Sequence, residues 1–281
     1  SRIQNPTSYS QFNLMQKFRF QPNKRWNIIY SFHYSKTSSY GRYDRHLRTR
    51  AGLPLYAEWD YGPQLWLMNN LDVLHSTETA IYSQMNIRLA HQMFQESRVS
   101  RNFNDDIRTI QAEEVQAYSL NADFKKNLGT KHQFYYGLEG IFNDVFSTGK
   151  EEDINTAIES EIASRYPRSN WMSMGAYLTY RYRPLEKVVL QGGVRYNHFI
   201  LNAEFDTSLF SLPFSQAKLN NGAVTGSLGV VYNPTNKWSL SLNGSTGFRS
   251  PNVDDIGKIF DSEPGSVVVP NPDLKAEYAY N

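Results

Sequence analysis

The sequence of 281 residues has no cysteine, which excludes a disulfide framework and any thiolate metal site. No apolar run is long enough to form a membrane-spanning helix. With 29 basic and 27 acidic residues, the net charge of +2 gives no reason to expect nucleic acid as a partner. The sequence also lacks the catalytic signatures GxSxG, HExxH and GxxxxGK, and we therefore do not expect an enzyme.

Aromatic residues, in contrast, are abundant. The chain has 19 Tyr, 16 Phe and 5 Trp, which together make up 14% of it. Membrane barrels place such residues in girdles at the two bilayer interfaces, and their polar lumen is compatible with a mean hydropathy of -0.57. A β-rich soluble protein can be equally aromatic, so composition alone leaves both classes open.

Apolar and polar residues alternate with a period of two along much of the chain, as they do in half-buried strands. In the first such segment Phe12, Leu14 and Phe18 share one face, and Asn13 and Lys17 share the other. The pattern recurs in ten segments, which short turns and long connections join alternately. The long connections cover residues 36–63, 102–114, 143–169 and 202–221.

The third long connection has a different period. Ile154, Ile158 and Ile162 recur every four residues among acidic side chains. This spacing predicts a short amphipathic helix between the strands.

Short turns that alternate with long loops are typical of transmembrane barrels, whose strands need about 9 to 11 residues to cross the bilayer. A soluble sandwich or meander is the alternative, but it has little reason to keep every second connection long. Ten strands with open edges cannot lie in lipid, because unpaired backbone groups are costly there. We therefore predict an all-β fold: residues 1–281 form one domain, an antiparallel transmembrane β-barrel portion of about ten meandering strands.

Two short boxes near the end of the chain carry the strongest family signal. Residues 248–252 read FRSPN and residues 271–277 read NPDLKAE. Pro251 must end the strand before it, Asn252 can cap a short turn over residues 253–256, and a new strand is predicted from Glu277. The boxes resemble the FRAPN and NPNLKPE boxes of TonB-dependent outer-membrane receptors, with Ser250, Asp273 and Ala276 as departures.

The resemblance implies a barrel of twenty-two strands around an N-terminal plug, in the bacterial outer membrane. It implies import of a scarce solute, with an iron chelate or haem favoured, and energy coupling to TonB through the plug. Residues 1–281 would then be the middle of the barrel, with the plug and the C-terminal strands outside the chain. Membrane lipid and lipopolysaccharide would be partners. A passive porin or adhesin barrel without a plug is the alternative.

The first long connection mixes basic and aromatic side chains, which suits an anionic aromatic ligand such as a ferric catecholate or a porphyrin propionate. A charged loop that packs on its neighbours is the alternative. The candidate ligand-binding residues, from this connection and from the end of the chain, are Tyr40, Arg42, Tyr43, Arg45, His46, Tyr61, Arg249 and Asp255.

Haem receptors of the family carry a histidine between the two boxes, and this chain has none between Pro251 and Pro270. His33, His46 or a tyrosine of the first connection could replace that ligand. We expect no resident cofactor and no structural metal. Acidic clusters suit either Ca²⁺ or plain solvation, and they comprise Asp105, Asp106, Glu151, Glu152, Asp153, Asp254 and Asp255.

Overall fold

The computed structural model describes residues 4–207, 214–257, 260–263, 266–268, 271 and 274–281. The strands are β1 Gln11–Asn23, β2 Trp26–Thr37, β3 Tyr40–Gly41, β4 Thr49–Arg50, β5 Leu53–Pro54, β6 Tyr56–Tyr61, β7 Leu65–Ser76, β8 Gln84–Asn102, β9 Ile107–Leu128, β10 His132–Asp153, β11 Glu159–Ile162, β12 Arg168–Leu185, β13 Val188–Glu204, β14 Gln216–Thr235, β15 Trp238–Arg249, β16 Phe260–Glu263, β17 Ser266–Val268 and β18 Glu277–Tyr280. The helices are α1 Tyr43–His46 and α2 Val253–Gly257. Neither of these helices is long and apolar enough to cross a membrane.

The strands form an antiparallel meander in the order β1-β2-β7-β8-β9-β10-β12-β13-β14-β15-β18. The predicted all-β fold of ten long strands is confirmed, and β18 begins at Glu277 as the second box predicts. Among the described residues β1 and β18 do not pair with each other, so the sheet is open. This is the arrangement of a partial barrel.

The sheet has one apolar and one polar face. On the apolar face, rows such as Leu71, Leu89 and Leu120 lie opposite one another on successive strands. Large side chains remain exposed there, for example Leu228 at 72% and Leu242 at 74%. No layer of described residues covers them, and an apolar surface of this extent is typical of a protein that faces lipid.

Aromatic rings form a row at the end of the sheet where the short turns lie, which we call the turn end. The Trp26 ring stacks on His75 at 4.0 Å between centroids, and Tyr82 lies 5.9 Å from Phe124, which stacks on Tyr136 at 5.3 Å. Farther along the row are His132, Phe134, Tyr180 and Tyr182. The row corresponds to one of the interfacial girdles that the composition predicts.

At the opposite end, the loop end, the strands are longer than the sequence predicts. β8 reaches Asn102 and β9 begins at Ile107, so the predicted connection 102–114 is wrong and shrinks to a turn. β9 and β10 have 22 residues each, about twice the length that a bilayer requires. Their continuous antiparallel ladder extends the hairpin past the apolar rows.

The predicted helix in the third connection is also wrong. Residues 159–162 form β11, which pairs with residues 149–152 of β10. The Asp153 carboxylate accepts hydrogen bonds from the backbone N–H groups of Asn155 and Thr156, and the Asp153 N–H donates to the Ile158 carbonyl at 3.0 Å. These bonds close a hairpin turn, and the four-residue spacing of isoleucines reflects that hairpin rather than a helical face.

The packed apolar core lies at the loop end, on the polar face. It is formed by Phe199, Leu201, Ala203, Phe205, Ala217, Leu219, Val253 and Ile256. Leu201 and Ile256 are completely buried. Because Val253 and Ile256 belong to α2, this short helix lies against β13 and β14 and is fixed by the core.

Candidate functional site

The first long connection folds over the loop end of the sheet. Tyr40 of β3 pairs with Tyr61 of β6, and β6 pairs in turn with the extended part of β8. Gly62 follows β6 with a φ of 86°, a left-handed conformation that favours glycine. Its carbonyl accepts bonds from the hydroxyls of Ser39 and Ser97, at 3.1 and 2.8 Å. The end of β6 is therefore fixed to the sheet.

Glu58 anchors the middle of β6 through two arginines. Its carboxylate accepts bonds from Arg108 Nε at 2.8 Å and from Arg101 Nη2 at 3.1 Å. Arg108 also pairs with Glu152 of β10 at 3.4 Å. The hydrogen bond from Arg108 lowers the pKa of Glu58 below its ordinary value, against the effect of burial. The Glu58 carboxylate thus joins β6, β8 and β9.

Four of the predicted site residues come together here. The guanidinium of Arg42 lies over the Trp59 ring at 5.2 Å and donates to the Tyr61 hydroxyl at 3.1 Å. The guanidinium of Arg45 also lies over the Trp59 ring, 5.3 Å from its centroid, and the rings of Tyr40 and Tyr61 are 5.8 Å apart. We call Tyr40, Arg42, Arg45, Trp59 and Tyr61, together with Arg98, the basic-aromatic cluster.

Arg98 of β8 completes this cluster from the sheet. Its guanidinium lies 5.4 Å from the centroid of the Tyr61 ring. The same group pairs with Glu96, and with Glu113 of β9 at 3.5 Å. Burial and the nearby Glu96 carboxylate raise the pKa of Tyr40, which disfavours its phenolate form.

The remaining predicted residues of the first connection lie on α1. Tyr43 begins this single turn and His46 ends it. The Nε2 atom of His46 is buried and has no hydrogen-bond partner among the described residues. Burial raises the pKa of Asp60, and the nearby His46 opposes that rise, so the two side chains lie close together. His46 therefore faces into the loop.

Arg249 and Asp255 also lie at the loop end, but near the opposite edge of the described sheet, at β15 and α2. Arg249 Nη2 pairs with Asp255 Oδ2 at 2.7 Å, and its Nη1 pairs with Glu277 at 3.3 Å. The two sequence boxes are thus joined by an ion pair between adjacent strands. The predicted cap is confirmed, because Asn252 Oδ1 accepts the Asp255 N–H at 3.0 Å and Asp255 Oδ2 accepts the Asn252 N–H. The boxes have a clear structural role here.

Sequence reasoning missed Glu96, Arg98 and Glu113 as members of the site. Glu96 and Glu113 are 17 residues apart and meet only because β8 pairs with β9. These residues could have been found from the sequence if strand β8 had been predicted to extend past residue 95. The predicted acidic clusters are engaged locally: Asp105 Oδ1 accepts the Ile107 N–H at 3.0 Å. In the described part of the chain, no three acidic or histidine side chains gather as a metal site.

Comparison with known proteins agrees with this architecture. The family model "TonB dependent receptor-like, beta-barrel" matches residues 1–281. The hemophore receptor HasR of Serratia marcescens, solved with its hemophore HasA and heme, superposes with a TM-score of 0.72 at 15% identity over 97% of this chain and 41% of its own. The copper transporter OprC superposes with a TM-score of 0.70 at 12% identity, over 89% of this chain and 38% of its own. The siderophore receptor PiuA of Acinetobacter baumannii superposes with a TM-score of 0.63 at 16% identity, over 87% of this chain and 43% of its own. Comparison with curated proteins gave no match.

An open antiparallel meander with one lipid-type face, two joined boxes and a loop-end cluster defines a portion of a β-barrel receptor. The chain belongs to the TonB-dependent receptor β-barrel family. It spans about two fifths of the length of the solved structures that it resembles. At these identities the superpositions establish the fold, and they leave the cargo open.

Proposed function

We propose that this chain is part of an outer-membrane receptor that imports a ferric chelate with anionic aromatic groups, using energy supplied through TonB. In this proposal the apolar face contacts lipid and the polar face lines the lumen. The loop end faces the outside of the cell, and the turn end faces the periplasm. Family membership and the exposed apolar rows support this orientation.

The basic-aromatic cluster is the observation that carries the choice of cargo. Three guanidinium groups, those of Arg42, Arg45 and Arg98, lie against the rings of Trp59 and Tyr61. Guanidinium groups recognise anionic oxygens through charge-assisted hydrogen bonds, and aromatic rings stack on flat ligands. Among the structural relatives, PiuA is a siderophore receptor, which agrees with such a cargo.

The cluster supports haem less well. Haem needs an axial ligand from a side chain that can reach the iron. The Nε2 atom of His46 is buried beside Asp60 within the loop. His33 lies on the polar face of β2, where its ring contacts Trp66 at 5.8 Å. The tyrosines of the cluster are poor substitutes, because the raised pKa of Tyr40 disfavours its phenolate form and the Tyr61 hydroxyl already accepts a hydrogen bond from Arg42. We therefore place a ferric chelate ahead of haem.

The binding test uses the detergent-purified full-length receptor, titrated with ferric tris(catecholate) and, separately, with haemin. Replacing Arg42 and Arg45 by Ala should weaken ferric tris(catecholate) binding roughly tenfold or more, since each charge-assisted bond contributes about 1.5–3 kcal/mol. Arg50→Ala is the control, because Arg50 lies exposed on the β4–β5 hairpin. Equal affinity in the double variant and the control would contradict the proposed cargo site, and a Soret shift with haemin alone would favour haem.

The energy coupling is tested in cells. Uptake of the radiolabelled ferric chelate should stop when the proton gradient is collapsed or when TonB is deleted. A passive porin would continue to equilibrate the same solute under both conditions. Continued uptake would therefore exclude the receptor proposal in favour of the passive barrel.

A further inference from the structure

A second cavity adjoins the basic-aromatic cluster on the polar face, and the proposed function gives it no role. It has a volume of about 380 Å³ and lies beneath α2, between β8, β9 and β12. We call it the chamber. Phe94, Tyr166 and Trp171 contribute aromatic walls, and Glu96, Arg98 and Glu113 contribute charged ones. Its size suits one arm of a ligand better than a whole ferric chelate.

Glu113 is the unusual group of the chamber. Its side chain is 92% buried, since only 8% remains exposed. Its Oε1 atom pairs with Arg98 at 3.5 Å, but its Oε2 atom has no hydrogen-bond partner among the described residues. Burying a carboxylate oxygen without a hydrogen-bond donor costs free energy, so Oε2 of Glu113 calls for a donor on a molecule that enters the chamber.

The charges around the chamber favour a cation. The carboxylates are those of Glu96, Glu113 and Asp254, and Asp254 accepts a bond from the Tyr166 hydroxyl at 2.8 Å. Two guanidinium groups oppose them: Arg98, which Glu96 and Glu113 share, and Arg165, which lies over the Tyr166 ring at 5.4 Å. Three carboxyl groups thus face two guanidinium groups, and burial raises the pKa of Glu113, so a cation beside this carboxyl would stabilise its charged form.

The aromatic walls of the chamber also favour a cation. Aromatic rings that line a cavity attract ammonium groups through their electron-rich faces, and desolvation strengthens that attraction. Trp171 and Tyr166 supply two such rings, and Glu113 supplies a carboxylate to the same lining. This combination of aromatic rings and a buried carboxylate suits a primary ammonium, which offers three donors.

We infer that the chamber binds a primary ammonium arm of the cargo, with Glu113 as its carboxylate partner. The inference rests on the proposed function, because the anionic aromatic part of the same ligand would lie on the basic-aromatic cluster. Arg98 joins the two places, since it contacts Tyr61 on one side and Glu113 on the other. The cargo class is therefore a zwitterionic ferric chelate with a free amine.

The experiment compares two ferric probes whose ligands differ by one charge each. They are the iron(III) complexes of 2,3-dihydroxybenzoyl-lysine, with a free side-chain ammonium, and of its acetylated counterpart. The full-length receptor should bind the ammonium probe about tenfold more tightly, the effect expected for one hydrogen bond to a charged group. Glu113→Gln should abolish this preference and leave the affinity for the acetylated probe unchanged.

Glu114→Gln is the matched control, because Glu114 follows on the same strand and points to the opposite face, where it bonds Gln95 and Gln116. This variant should retain the preference. Equal binding of the two probes by the wild-type receptor would overturn the inference and leave the chelate proposal intact. Failure of the wild type to bind either probe would overturn both.

A segment of the plug is another occupant that the same variants can reveal. If the plug filled the chamber, Glu113→Gln would lower the melting temperature of the ligand-free receptor and leave the relative affinity of the probes unchanged. That result would overturn the ammonium site. A preference that survives in Glu113→Gln would do the same, because the preference would then arise elsewhere in the lumen.

Discussion

The turn end and the loop end of the sheet are held together by different kinds of contact. At the turn end, rings on adjacent strands pack in a row, as Trp26 does on His75 at 4.0 Å. At the loop end, charged groups join segments far apart in sequence, as Glu58 does with Arg101 and Arg108. The first arrangement repeats along the sheet, whereas the second is specific to one place.

In the proposed function, this difference separates the membrane part of the chain from its recognition part. A repeating apolar row needs only hydrophobic side chains at every second position, because lipid accepts many shapes. A binding surface needs fixed polar groups, and the Glu58 ion pairs provide rigidity for the neighbouring basic-aromatic cluster. Disruption of the turn end should therefore affect assembly, and disruption of the loop end should affect recognition.

The largest effect is expected from a charge in the apolar row. Leu178 is 45% exposed on the apolar face, between Tyr136 and Val194 on the neighbouring strands. Leu178→Arg should cost about 2–4 kcal/mol in lipid and reduce the amount of folded receptor in the membrane. The folded fraction can be measured by the slower migration of the protein after boiling in detergent gels.

Strand β15, three strands farther along the sheet than β12, offers a matched pair for that experiment. Leu240 lies on the apolar face opposite Tyr232, and Ser241 lies on the polar face opposite Val231. Leu240→Arg should also reduce assembly, while Ser241→Arg should assemble almost normally because its charge faces the lumen. Equal losses for Leu240→Arg and Ser241→Arg would show that the two faces have been assigned wrongly.

A smaller and local effect is expected at the loop end. Glu58→Gln should weaken the attachment of β6 by about 1.5–3 kcal/mol, the range for hydrogen bonds to charged groups. Hydrogen exchange of the β6 amides should become faster, with no change in assembly. Glu159→Gln is the control, since Glu159 pairs with Lys150 at an exposed position, where ion pairs contribute little.

The pH dependence gives this prediction a second check. The pKa of Glu58 lies below its ordinary value of 4.5 in the folded protein. Its contribution to stability is therefore complete above pH 4.5 and is lost as the pH falls through the lowered pKa. The free energy that attaches β6 should differ between wild type and Glu58→Gln at neutral pH and become equal in acid. A difference that stays constant down to the acid limit would mean that the ion pairs are not its cause.

The sequence alone predicts the turn end well and the loop end only in part. Alternation identifies the ten long strands because side chains of a half-buried strand repeat every two residues. It does not reveal that β9 and β10 run on to 22 residues, because polar residues such as Glu113 and Glu114 show no alternation there. Composition draws attention to Arg42 and Tyr61, but Arg98 joins them through strand pairing, which no local pattern encodes.

The smallest effect is expected where a single cap holds α2. Asn252 Oδ1 accepts the Asp255 N–H, and the Asp255 carboxylate accepts the Asn252 N–H in return, each at 3.0 Å. Asn252→Ala should destabilise the helix by about 1 kcal/mol, the usual value of such a cap. Because Val253 and Ile256 pack in the loop-end core, the loosened helix should expose the chamber, and hydrogen exchange of residues 253–256 should rise several-fold.

Asn252→Asp distinguishes the cap from a mere change of side-chain size. Aspartate caps helices about as well as asparagine, but here its charge would face the Asp255 carboxylate. Asn252→Asp should therefore restore only part of the protection of residues 253–256 from hydrogen exchange. Asn252→Ser, which caps without added charge, should restore nearly all of it. If serine and alanine gave the same exchange rate, the α2 fold would depend on the packing of Val253 and Ile256 alone. The loop end would then rely, like the turn end, on apolar contacts.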